Sequence, residues 1–240
     1  MVKNNLTLFS TSLYRAGRCL ALVLCVLVAA GVHGAVLKVH VTSNTVPLQD
    51  AVVSVRSADL TADLTADLTA HSPAVQPTPA PVTAAMDQRN LQFSPNVIAV
   101  QTGTLVSFPN SDDVRHHVYS FSPAKRFELR LYHGTTADPI KFDTAGKVVL
   151  GCNIHDSMLG YIFVVDTPFF AVTGEDGLAA IKTDDASEWV VQVEHPRSKK
   201  VWQQSVPAAQ LKNGLSVDLG GLTPDPRKAK PISELDALFK

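Results

Sequence analysis

The chain has 240 residues, 45% of them hydrophobic and 18% charged, with a formal net charge of −1. That length suits one large or two small domains. No basic patch points to a nucleic acid as partner, and no apolar run after the N-terminal one points to a bundle in a membrane. Gly and Pro together supply 28 residues and β-branched side chains are frequent, which favours a β protein rich in turns.

The first 34 residues have the layout of a secretory signal peptide. Lys3, Arg15 and Arg18 make a basic start, Cys19 to Val32 is an apolar stretch, and Val32-His33-Gly34 precedes Ala35 with small groups at the −3 and −1 positions. The stretch is shorter than the roughly 17–25 residues a spanning helix needs. An uncleaved N-terminal anchor is the alternative. Cleavage before Ala35 removes Cys19 and Cys25 and leaves 18 basic against 22 acidic side chains, a formal −4. No transmembrane span would then remain, and the exported chain is expected in the periplasm. One cysteine, Cys152, survives. Cysteines in an oxidising compartment are normally paired. A lone one is an inert buried thiol, half of an intermolecular bridge, or held as thiolate by a metal.

In chain order, Val36–Val41 and Ala51–Val55 read as two strands separated by a turn at Pro47–Asp50. Ala58-Asp59-Leu60-Thr61 then recurs at 62–65 and 66–69, and Pro73, Pro77, Pro79 and Pro81 follow. Residues 58–84 offer nothing to bury and are expected to be a flexible linker. Order is expected to resume near Met86. Strand patterns follow at 93–100, 105–108, 117–121, 127–132, 140–142, 147–150 and 161–165. Seven short strands without an amphipathic helix predict a small β-sandwich over residues 85–166. Beyond Pro168, strand patterns at 170–173, 178–183, 189–193 and 215–219 predict a smaller β module over 167–222. Its strands are expected to pair with those at 35–57, so that the first sandwich interrupts the second. The tail, 223–240, is expected to be loosely ordered.

One short run concentrates the chemistry. Cys152, His155 and Met158 stand at i, i+3 and i+6, on the loop between the strands at 147–150 and 161–165. Upstream lie His116 and His117, adjacent residues whose side chains point to opposite faces of a strand. One of them completes a set of two imidazoles, a thiolate and a thioether, the ligands of a mononuclear copper electron-transfer centre. Zinc suits these residues less well, because a thioether is a soft ligand and no Glu or Asp stands ready as a base. His133 and His195 have no partner spacing and are read as bystanders.

These residues resemble the cupredoxins, and the gap Cys152…His155…Met158 resembles the short ligand loop of amicyanin. Arg115-His116-His117-Val118 is similar to the family segment that ends His-Asn-Val, with Asn110 at the position of a preceding loop asparagine. Phe108-Pro109-Asn110, Arg115–Pro123, Gly151–Asp156 and Asp166–Phe170 resemble periplasmic plastocyanin-like proteins of the methylamine-utilisation type. The resemblance covers roughly residues 86–185. It implies an all-β, Greek-key cupredoxin sandwich with a flanking smaller β module. It implies one type 1 copper ion per chain on His116, Cys152, His155 and Met158, with His117 in place of the family asparagine. It implies an electron-transfer protein, not an enzyme, that serves a periplasmic redox protein whose identity the sequence does not give. The competing expectations are a copper carrier, a β protein binding a protein or polysaccharide, and a copper oxidase or reductase, which would need a second copper site.

Overall fold

The computed structural model describes residues 35–58, 82–135, 138–211 and 213–228. The expected signal peptide, the Ala-Asp-Leu-Thr repeat and the end of the tail lie outside them. In chain order the strands are β1 (Ala35–Ser43), β2 (Val46–Pro47), β3 (Val52–Ser57), β4 (Thr83–Ala85), β5 (Asp87–Arg89), β6 (Gln92–Ser94), β7 (Val97–Gln101), β8 (Thr104–Ser107), β9 (His116–Ser122), β10 (Lys125–Tyr132), β11 (Ile140–Phe142), β12 (Gly146–Cys152), β13 (Leu159–Val165), β14 (Phe170–Val172), β15 (Leu178–Thr183), β16 (Glu188–Glu194), β17 (Trp202–Pro207) and β18 (Leu215–Asp218). A single helical turn, α1 (Ala208–Leu211), precedes β18.

The first sandwich packs a five-stranded sheet, β10-β9-β12-β13-β7, against a three-stranded one, β11-β8-β4. Its connections make a Greek key. The β9–β10 hairpin is followed by a crossing to the other sheet at β11, and the chain then returns as β12 beside β9. β13 lies antiparallel to β12 and parallel to β7. Between the sheets sit Met86, Phe108, Val118, Phe142, Leu150 and Ile162, all fully buried.

The second sandwich is built from strands on both sides of the first. β1 pairs with β15 and with β18, while β3 pairs with β14 and β16. Its core runs from Leu37, Val39 and Val41 on β1 to Val53 and Val55 on β3 and Trp189, Val191 and Val193 on β16. A third apolar layer joins the two sandwiches. Val97, Tyr161, Phe163 and Val165 on the outer face of the five-stranded sheet meet Val52, Phe170 and Val172. β3 and β13 are thus buried on both faces, which is why Val52-Val53 and Tyr161–Val165 are continuous apolar runs and not alternating ones. The join also carries polar ties. The Thr167 hydroxyl donates to the Val55 carbonyl at 2.7 Å, and Arg56 pairs with Asp166 at 3.1 Å.

Three details differ from the sequence reading. Order resumes earlier than Met86, because Thr83–Ala85 form β4 and pair in parallel with β8. Trp202–Pro207 form a strand on the edge of β16, where three polar residues in a row hide the pattern. The first part of the tail is tied down. Thr223 donates N–H and hydroxyl to the Arg197 carbonyl, and Asp225 holds Arg227 through two contacts of 3.0 and 2.8 Å.

His195, at the end of β16, is 6% exposed; its Nδ1 accepts the Arg197 N–H at 3.1 Å. Burial, and then the nearby Arg197 charge, push its pKa down from 6.5 to about 4. The folded state therefore takes up this proton less readily than the unfolded chain. Stability from His195 is complete above about pH 6.5 and is lost as the pH falls toward about 4. Urea midpoints should fall from about pH 7.5 to about pH 4.5, and His195→Gln should flatten that fall. Equal pH dependence in both proteins would refute the assignment.

Candidate metal centre

β9 begins at His116 and β12 ends at Cys152, and the two strands pair with Cys152 opposite Val118 and Gly151 opposite Tyr119. Both ends therefore meet at one pole of the first sandwich. The loop from 153 to 158 is closed by two backbone bonds. Met158 donates to the His155 carbonyl at 2.9 Å, and Asn153 donates to the His117 carbonyl at 3.3 Å. The first folds the chain back as a turn, and the second fastens the loop to β9 through the backbone of residue 117.

This architecture gathers three donors. Cys152 Sγ lies 3.5 Å from His155 Nδ1 and 3.8 Å from His116 Nδ1, and the two Nδ1 atoms are 3.2 Å apart. No other such group of His, Cys, Asp or Glu is present among the described residues. A trigonal ion with bonds of about 2.0 Å to nitrogen and about 2.3 Å to sulfur would set its ligands about 3.5–3.7 Å apart. The observed spacings of 3.2, 3.5 and 3.8 Å come close to that requirement, with the two nitrogens needing to part slightly. His116 is fully buried and Cys152 is 4% exposed, whereas His155 is half-buried. Met158 is fully buried in the same apolar cluster as Cys152.

His117 faces the other way. Its Nε2 lies 2.9 Å from Glu128 Oε1 on β10, outside the cluster, a close charge contact without the angles of a hydrogen bond. His133 and His195 take no part in the cluster either.

A residue the sequence reading passed over completes the geometry. Asp112 Oδ2 lies 2.8 Å from His116 Nε2. The carboxylate also accepts the N–H groups of Asn90 at 2.5 Å and Leu91 at 3.0 Å. Burial works against its charge, yet the bonds from Leu91, His116 and Asn90 outweigh burial and hold the carboxyl below its usual pKa. A charged Asp112 takes the Nε2–H of His116, which leaves Nδ1 as a lone pair aimed at Cys152 and His155. The signal in the sequence was a carboxylate four residues before a histidine, in the loop ahead of β9.

Asn110 shapes that loop. Its Oδ1 accepts the Asp112 N–H at 3.0 Å, and its Nδ2 donates to the carbonyls of Val114 and Tyr132, both at 2.9 Å. Beneath it, Gln88 Nε2 donates to the Pro109 carbonyl at 3.0 Å and to the Tyr132 hydroxyl, which in turn donates to the Phe108 carbonyl at 2.6 Å. Burial pushes the Tyr132 phenol up to about 12, so it stays a donor.

The first sandwich thus carries a donor-bearing turn between β12 and β13 and a histidine at the start of β9 that converge on one point. The domain is a Greek-key β-sandwich, as the resemblance to cupredoxins in the sequence leads one to expect. Solved cupredoxins are similar to it. A reduced tryptophan-to-tyrosine mutant of amicyanin is 20% identical, with a TM-score of 0.32, over 37% of this chain and 87% of that one. A purple cupredoxin from Nitrosopumilus maritimus is 20% identical, with a TM-score of 0.30, over 35% of this chain and 99% of that one. A copper-containing nitrite reductase from Thermus scotoductus is 24% identical, with a TM-score of 0.33, over 53% of this chain but 28% of that enzyme. No family model matches the chain, and no curated protein does. The β strands outside the first sandwich form the additional module.

Asp112 generates a test. Asp112→Asn keeps an acceptor beside Nε2 but removes the charge, so the imidazole becomes a poorer donor. Metal affinity, read by chelator competition, should fall about 10–100-fold while the fold remains. Unchanged affinity would show that the carboxylate serves the Asn90–Leu91 turn alone.

Proposed function

We propose that the chain is a periplasmic type 1 copper protein that carries single electrons between redox partners. The observation that carries this reading is the cluster of Cys152 Sγ, His116 Nδ1 and His155 Nδ1 within 4.8 Å of one another, at the edge of an apolar core. A copper ion there supplies a one-electron couple. Thiolate and thioether sulfur favour copper, and imidazole serves both its oxidation states.

Each side chain has a role that follows from its surroundings. Cys152 supplies the thiolate from the end of β12. His116, set by Asp112, and His155, set by the turn to Met158, supply the two nitrogens. Met158, buried in the same apolar cluster as Cys152, would add a weaker thioether donor. Two imidazoles, a thiolate and a thioether would together hold a copper ion through protein groups, with no place kept for a substrate. That favours electron transfer over turnover, and retention of the metal over its delivery. Export is supported by the basic start, the apolar stretch and the boundary before Ala35, and by the single cysteine that would remain. The partner is then a periplasmic redox protein.

The purified protein loaded with copper should bind one ion per chain and show an intense thiolate-to-copper band in the visible. Cys152→Ser should abolish the band and leave the fold. A colourless loaded protein, or copper lost on simple dialysis, would favour a carrier and sink the electron-transfer reading.

The two histidines at the start of β9 should behave differently. His116→Ala should destroy the band, and added imidazole should restore part of it. His117→Ala should keep it, since that ring lies against Glu128. Met158→Leu should retain most of the copper and raise the reduction potential, because a donor that stabilises the oxidised ion is gone. Voltammetry and titration with copper separate these outcomes. A reversed pattern for the histidines would move the ligand to residue 117.

A further inference from the structure

The outer face of the five-stranded sheet is divided. Its β7 and β13 half lies under the second sandwich, with Tyr161, Phe163 and Val165 buried there. Its β9, β10 and β12 half is open. On that half three apolar side chains stand together. Phe121 is 73% exposed, its ring 5.1 Å from that of Tyr119, and Val149 is 36% exposed beside them. With Leu159 they line a shallow groove.

Register places cations around this centre. Arg126 stands opposite Phe121, and Glu128 opposite Tyr119. Arg130 follows Glu128 on the same face of β10, and Lys147 precedes Val149 on the same face of β12. The acid among them, Glu128, lies 2.9 Å from His117 and 3.8 Å from Arg130. Among the described residues Arg126 and Lys147 have no carboxylate within ion-pair distance. Three cations against one acid thus border an apolar centre, in a chain whose formal net charge is −1. Such a surface suits a partner with carboxylates around an apolar centre, because complementary charge speeds encounter and fixes orientation.

The same face reaches the metal centre. Tyr119 stands opposite Gly151, the residue before Cys152. A Cβ on Gly151 would lie 2.8 Å from the Tyr119 ring and hydroxyl, so only glycine lets the ring lie against the backbone at this point. A partner seated on Tyr119 and Phe121 would be separated from the Cys152 thiolate by little more than that ring and one peptide unit.

We propose that this half-face, centred on Tyr119, Phe121 and Val149 and ringed by Arg126, Arg130 and Lys147, docks an acidic one-electron redox protein. The inference rests on the electron-transfer reading above. One electron crosses from the reduced partner to the oxidised centre. No bond forms or breaks, and no proton moves.

The probe is a plant-type [2Fe–2S] ferredoxin, an acidic one-electron carrier. Titrated into the isotope-labelled, copper(I)-loaded protein, it should perturb backbone amides of β9, β10 and β12 around these residues. Binding should weaken steeply with salt. The double charge reversal Arg126→Glu, Lys147→Glu should weaken binding at least tenfold, as should Phe121→Ser, with the copper band and potential unchanged. In stopped flow, electron transfer from reduced ferredoxin should slow in parallel. Gly151→Ala should slow transfer more than it weakens binding. Perturbations confined to the loop around Val114 and Ile154, or affinity indifferent to the charge reversals, would overturn the proposal while leaving the copper reading intact. Absence of the copper band in the wild type would overturn both.

Discussion

The carboxylate of Asp112 holds the Asn90–Leu91 turn and the His116 imidazole at the same time. Asn90 and Leu91 have φ of 54° and 58°, a left-handed pair that joins β5 to β6. Such angles are unfavourable for a residue like leucine. They persist here because the carboxylate accepts both N–H groups of the turn. One oxygen of the same carboxylate fixes the ring on which the donor cluster is built. The second sandwich contains the same device without the histidine. Asp218 accepts the N–H groups of Asn44 and Thr45, whose φ values are 50° and 69°. A turn of this kind therefore needs only its carboxylate. The bond to His116 is an addition, and it ties the first sandwich's hairpin to its donor cluster.

Burial of two strands on both faces anchors the loop that carries part of the cluster. The loop that carries His155 and Met158 runs from β12 into β13. β13 is clamped between the core of the first sandwich and the layer shared with the second. Its exit is fastened again by Thr167 to Val55 and by Asp166 to Arg56. A loop anchored in this way has little freedom to reorganise, which suits the one-electron role proposed above. The second sandwich thus bears on the site although none of its residues touches it.

Much of this was legible in the sequence. The sandwich strands showed as short apolar segments between turn residues, and the donor set showed as a spacing of three and six residues. The mutual pairing of the outer strands could be expected only from their number, because β1 and β3 lie far in sequence from β15, β16 and β18, with the whole first sandwich between them. β17 escaped notice because an edge strand needs few apolar positions, and Gln203, Gln204 and Ser205 are all exposed. β4 escaped because Thr83-Ala84-Ala85 is too short and too small to show alternation. Asp112 escaped for a different reason. Its importance lies in bonds to residues 22 and 21 positions upstream and four downstream, and no local pattern encodes that convergence.

The position of the second sandwich also shapes the docking face proposed above. The first sandwich alone would expose the whole outer face of its five-stranded sheet. Here β7 and β13 are covered, and what remains open is the strip where Tyr119, Phe121 and Val149 meet three cations. His117 stands at the end of that strip nearest the metal loop, against Glu128, the strip's acid. A shorter asparagine in its place would not carry a ring nitrogen to Glu128. The histidine at residue 117 thus engages the strip's acid next to the cluster without entering it.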